Sequence, residues 1–82
     1  MNFNSEYAKV LKEGFEQKYN KEISIDCFLA EYCQSTNDEV SYETIRRWLR
    51  GLNMPNFHRL CLIAAWLDLD LNAFILVVKK KT

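Results

Sequence analysis

SYETIRRWLRG, residues 41–51, decides how this chain folds. Ser41 is a helix N-cap residue, Gly51 a helix stop, and the residues between them have helical periodicity, so the spacing predicts a helix over residues 41–49. Setting Ile45 at zero and advancing about 100° per residue puts Trp48 near 300°, Leu49 near 40° and the following Leu52 near 340°. These four side chains form an apolar arc about 100° wide, which predicts a buried face. Arg46, Arg50 and Arg47 fall at about 100°, 140° and 200°, and Glu43 at about 160°, on the opposite face. Three of the chain's four arginines therefore share one exposed comb on one short helix.

Working outward, Phe3, Tyr7, Leu11, Phe15 and Tyr19 recur at steps of four with Val10 alongside, the stripe of a first helix capped by Asn4 or Ser5. Gly14 weakens that helix by about 1 kcal/mol relative to alanine but admits a close neighbour. A second helix starts at Ser24 or Asp26 and buries Phe28, Leu29, Tyr32 and Cys33. The polar run QSTNDE, residues 34–39, reads as an exposed connection. After Pro55 and Asn56 a fourth helix turns Leu60, Ile63, Ala64 and Leu67 inward, and Asp68 to Asp70 form a turn and cap. Residues 71–78 predict a last element, a fifth helix or, from the composition of FILVV, a strand. Trp48 belongs to the core, whereas Trp66 is expected to be partly exposed because Ile63 and Leu67 already take the inward face.

Eighty-two residues, 49% of them apolar, make one domain spanning residues 1–82, since a chain of this length buries only about 60% of its unfolded surface. No apolar run approaches the roughly 18 residues of a membrane span, and the start MNFNSEYAK lacks a signal-peptide apolar core, so no membrane association and a cytoplasmic location are expected. Net charge is zero, but its distribution is uneven. Residues 1–40 carry eight acidic side chains against four lysines, net −4, while residues 41–82 carry three against four arginines and three lysines, net +4. Such a chain is a charge dipole, unlike a protein that coats nucleic acid indiscriminately.

LAEYC (residues 29–33), SYETIRRWLRG, then Pro55 and RLCLIAAWLDLDLNAF (residues 59–74) resemble the phage repressor and Cro type of helix-turn-helix domain, the lambda repressor-like family. The resemblance runs from about residue 23 to residue 75. It implies an all-α, compact five-helix domain that lays its third helix in the major groove of double-stranded DNA. Ser41, Tyr42, Glu43 and Arg47 match the positions that reach base edges; Thr44, Arg46, Arg50, Asn53 and Asn56 match or adjoin those that hold phosphates. A sequence-specific, repressor-like transcriptional regulator of bacterial, phage or plasmid origin is the expected function. The chain departs from the family in joining its second and third helices by QSTNDEV, residues 34–40, in place of a tight glycine-containing turn. It also carries Asp26 where a phosphate-contacting donor is common.

Other readings of the same residues stay open. Glu43 stands three and four positions before Arg46 and Arg47, so the comb is also a solvated face of intrahelical ion pairs, each of a few tenths of a kcal/mol. A protein-interaction module on the same fold would use the comb against an acidic partner. Ile75, Leu76, Val77 and Val78 occupy successive positions that neither a helix nor a strand can turn inward together, which predicts a homodimer interface or, alternatively, packing on Phe3 and Tyr7. Neither a cofactor nor a metal is expected: Cys27, Cys33 and Cys61 have no C-x-x-C spacing and His58 is the single histidine. No nucleophile motif or phosphate loop is present, so the chain is not expected to be an enzyme.

Overall fold

The computed structural model describes residues 3–70 and 72. These residues form four helices, α1 (Phe3–Tyr19), α2 (Ile25–Thr36), α3 (Tyr42–Leu49) and α4 (Phe57–Leu67), and no strand. The fold is all-helical, with four described helices where five were expected. The anticipated fifth element, and with it Ile75, Leu76, Val77 and Val78, lies outside the described residues.

Side-chain caps set the helix starts. Ser24 Oγ accepts from Cys27 N–H at 3.1 Å, Ser41 Oγ from Thr44 N–H at 3.1 Å and Asn56 Oδ1 from Arg59 N–H at 2.9 Å, each satisfying an amide that the helix cannot. Left-handed residues set the ends: Asn20, Asn37 and Asp68 at φ of 53°, 58° and 56°, and Gly51 at 72°. The second helix runs three residues further than its apolar pattern, through Thr36, and stops at left-handed Asn37, whose N–H donates to Cys33 O at 3.0 Å. The connection to α3 is thereby shortened to residues 37–41.

At the end of α3, Leu52 N–H donates to Arg47 O at 2.9 Å and Gly51 N–H to Trp48 O at 3.3 Å, the bond pair of a Schellman turn. The turn ends the helical phase, so Leu52 leaves the apolar arc and is 56% exposed rather than buried. A Cβ on Gly51 would lie 3.0 Å from Ser5 Cα, so glycine serves both the positive φ and the approach of α1. Gly14 has the second role alone: a Cβ there would meet Leu69 Cδ2 at 2.7 Å.

α1 and α2 each pack against both α3 and α4. Tyr7, Leu11, Phe15, Phe28, Tyr32, Ile45, Trp48, Leu49, Ile63, Trp66 and Leu67 form the core between them. Phe3 begins α1 beyond the reach of that core and is exposed, and Leu29, Cys33, Leu60 and Ala64 are half-buried at its edge. Trp66 is buried, at 8% exposure, against the expectation from α4 alone. Its ring lies among Phe15, Tyr19, Phe28 and Tyr32 with centroids 5.1 to 6.2 Å away, and its Nε1–H donates to Tyr19 Oη at 2.8 Å, giving the buried polar edge its partner.

A polar latch closes one side of this core. Tyr32 Oη donates to Asp38 Oδ2 at 2.6 Å, and the same oxygen accepts from Arg59 Nε at 2.9 Å. Asp38 thus ties α2 and the connection to the first turn of α4, and QSTNDE is not the free loop its polarity suggested. The Tyr32 and Arg59 bonds hold the Asp38 carboxyl below its usual range, and burial followed by the Asp38 bond pushes the Tyr32 hydroxyl up.

We expect Tyr32→Phe to lower stability by about 1 to 2 kcal/mol and Asp38→Ala by more, because the second change leaves both the hydroxyl and the guanidinium without their acceptor. Urea denaturation of the two variants and of their combination measures this, with the double variant close to Asp38→Ala. Trp48→Ala should cost about 3 to 5 kcal/mol and abolish a cooperative melt in a domain this small.

Candidate nucleic-acid interface

α3 divides its two faces sharply. Ile45, Trp48 and Leu49 are buried, Trp48 to 2% exposure, while Tyr42, Glu43, Arg47 and Arg50 are exposed and Arg46 is half-exposed. Two guanidiniums and one carboxylate therefore occupy the solvent side of an eight-residue helix, and Arg50, its C-cap, adds a third guanidinium to give net +2.

Glu43 organises that face. Its Oε1 accepts from Arg46 Nε at 2.7 Å, and its Oε2 accepts from Arg46 Nη2 at 2.6 Å and Arg47 Nε at 3.0 Å. The bonds from Arg46 and then Arg47 pull the Glu43 carboxyl down from 4.5 to about 2. Arg46 is held by a two-bond fork and Arg47 by one bond, with 30% and 50% of their side chains exposed. Arg50 makes no ion pair among the described residues and lines a shallow groove with Lys12, Ile23, Ser24, Ile25 and Leu49. Asp26, which would repel a phosphate, is exposed in the first turn of α2.

The expected base-edge residues Tyr42, Glu43 and Arg47 and the expected phosphate residues Arg46 and Arg50 all lie on this face or at its end. Of the others, Ser41, Thr44 and Asn56 have their side chains engaged in or beside helix caps. The Ser41 hydroxyl caps α3 and is 2.9 Å from the Thr44 hydroxyl. Asn56 caps α4, and Asn53 is exposed in the turn after α3. Arg59 belongs to the latch on Asp38, a pairing across 21 residues that no local pattern signals. Large apolar side chains are exposed at Phe57, at 77%, and at Leu52, beside which Asn4 Nδ2 donates to Leu52 O at 3.3 Å. The sequence signal for Leu52 was the stop at Gly51, beyond which the helical phase no longer holds.

Cys27 and Cys33 are half-buried and Cys61 is exposed, all as free thiols. Among the described residues no three His, Cys, Asp or Glu side chains come together as a metal site, and no helix is long and apolar enough to cross a membrane. No family model, curated protein or solved structure matches the chain.

The depressed Glu43 carboxyl makes a signed prediction. A carboxyl with a lowered folded pKa stabilises the fold above its ordinary value of 4.5, and that contribution is lost as pH falls through about 2. The melting temperature of the wild type should therefore exceed that of Glu43→Gln at neutral pH. The gap should close between those two pH values, and shrink in high salt because the pair is exposed.

Proposed function

We propose that this protein binds double-stranded DNA through the outer face of α3 and acts as a sequence-specific, repressor-like transcriptional regulator. The observation that carries the reading is the gathering of Arg46 and Arg47 on the exposed side, and of Arg50 at the C-cap, of one helix whose other side is anchored by Ile45, Trp48 and Leu49. A guanidinium is the side chain whose planar fork pairs with phosphate or with guanine O6 and N7, and an anchored helix delivers it at a defined height in the major groove. Arg47, the more exposed of the two arginines on Glu43, is the base reader, and Tyr42, exposed at the start of the helix, is a second residue within reach of a base edge. Arg50, which lines the same groove as Lys12, is the phosphate anchor. A homodimer joined through Ile75, Leu76, Val77 and Val78 would present two such helices to half-sites about 34 Å apart.

A second reading is favoured by the exposure of Phe57 and Leu52: a protein-interaction domain that covers these side chains and meets an acidic surface with the arginines. Retention of a randomised duplex pool at two salt concentrations separates the two. Enrichment of one motif supports the DNA reading, and no retention at low salt supports the protein partner.

Arg47→Ala should weaken binding to the enriched motif by about 1 to 3 kcal/mol and relax selection at one base pair. Arg50→Ala should weaken all duplexes alike and reduce the salt slope by about one unit. Fluorescence anisotropy titrations on matched and scrambled duplexes distinguish these outcomes.

A further inference from the structure

Arginine combs bind polyanions whether or not they read sequence, and this comb carries a carboxylate in its middle. From the three bonds that Glu43 accepts, we infer that Glu43 is a positioning residue which restrains Arg47 for a guanine edge and lowers the attraction of the comb for phosphate backbone. The inference rests on the DNA reading above and specifies how its site selects.

The geometry separates two effects. A guanidinium has five N–H donors, and Glu43 takes the Nε–H of Arg47 while leaving Nη1 and Nη2, the terminal pair, without a partner among the described residues. That terminal pair is a parallel two-donor edge, the complement of guanine O6 and N7. Fixing Nε reduces the rotamer freedom that Arg47 would otherwise lose on meeting a base. Arg46, held at both Nε and Nη2, stiffens the carboxylate that does the fixing. Charge acts in parallel. One carboxylate within 3.0 Å of two guanidiniums cancels one of their two charges toward a polyanion, so backbone contacts are weakened at every sequence equally. Glu43 thereby lowers non-specific affinity and sharpens discrimination together, a combination that damage to the helix would not produce.

The test uses the full chain as wild type, Glu43→Gln and Glu43→Asp, with helicity checked by circular dichroism. Anisotropy titrations at two salt concentrations compare the motif enriched from the duplex pool, the same motif with its Arg47-dependent guanine replaced, and a scrambled duplex. Glu43→Gln should bind the scrambled duplex about eightfold more tightly at about 0.1 M salt, the factor contributed by one added counterion-releasing contact, with a salt slope steeper by about 0.9. Its preference for guanine should fall about tenfold. Glu43→Asp keeps the charge on a side chain too short to reach both arginines, so it should retain the wild-type salt slope while losing guanine preference. Wild-type guanine preference in Glu43→Gln, or a parallel loss of affinity for all duplexes, would overturn the inference and leave the DNA reading standing. A wild type that retains no duplex at low salt brings down the DNA reading and this inference with it.

Discussion

Tyr32 is the side chain on which the arrangement of the other helices depends. Its ring stacks on Phe28 at an interplanar angle of 9°, meets Trp48 of α3 edge-on at 5.8 Å and meets Trp66 of α4 edge-on at 5.6 Å. Edge-to-face contacts of this kind are directional, so they fix how the indoles are turned as well as how much area is buried. The hydroxyl then reaches Asp38, and Asp38 reaches Arg59, so the polar end of the same residue pins the connection to α4. Rotation of α3 about its axis would withdraw Trp48 from this contact. The exposed side of α3 is therefore set by an interaction on its buried side.

That dependence matters because α3 is only eight residues long. Helices of that length are not stable in water by themselves, since nucleation costs more than so few backbone bonds return. α3 holds its shape through the Ser41 cap, the turn at Gly51, the burial of Ile45, Trp48 and Leu49, and the Glu43 pairs on its outer side. The burial lies below the proposed interface and the cap and the turn lie at its two ends. The fourth lies within it, so the selection proposed for Glu43 would act through the same atoms that brace the helix.

The zero net charge of the chain says little about how this surface would meet the proposed polyanion. Screening confines exposed charges to an influence of about 10 Å at ordinary salt, so the local arrangement on α3 outweighs the sum over the molecule. On that helix and its C-cap the balance is between three guanidiniums and one carboxylate, with Lys12 lining the same groove as Arg50. Arg59, which composition groups with the other arginines, is neutralised locally by Asp38.

The sequence alone determined the features that depend on neighbours along the chain. The cap at Ser41 and the stop at Gly51 involve residues within a turn of one another, so their signals are local, whereas the choice of Ser24 over Asp26 and the capping role of Asn56 came from the structure. The phase of α3 followed from the same logic: Ile45, Trp48 and Leu49 against Glu43, Arg46 and Arg47 is a 3.6-residue pattern, and the helix kept it up to Leu49. Where the helix stopped, the arithmetic stopped with it, and Leu52 came out exposed. Tertiary structure decided what needed partners distant in sequence. Trp66 is buried because aromatic rings of α1 and α2 surround it, and Asp38 is ordered because Arg59 approaches from α4. Such contacts are set by how helices lie across one another. Periodicity within a helix reports which face is apolar but carries no information about what will cover it.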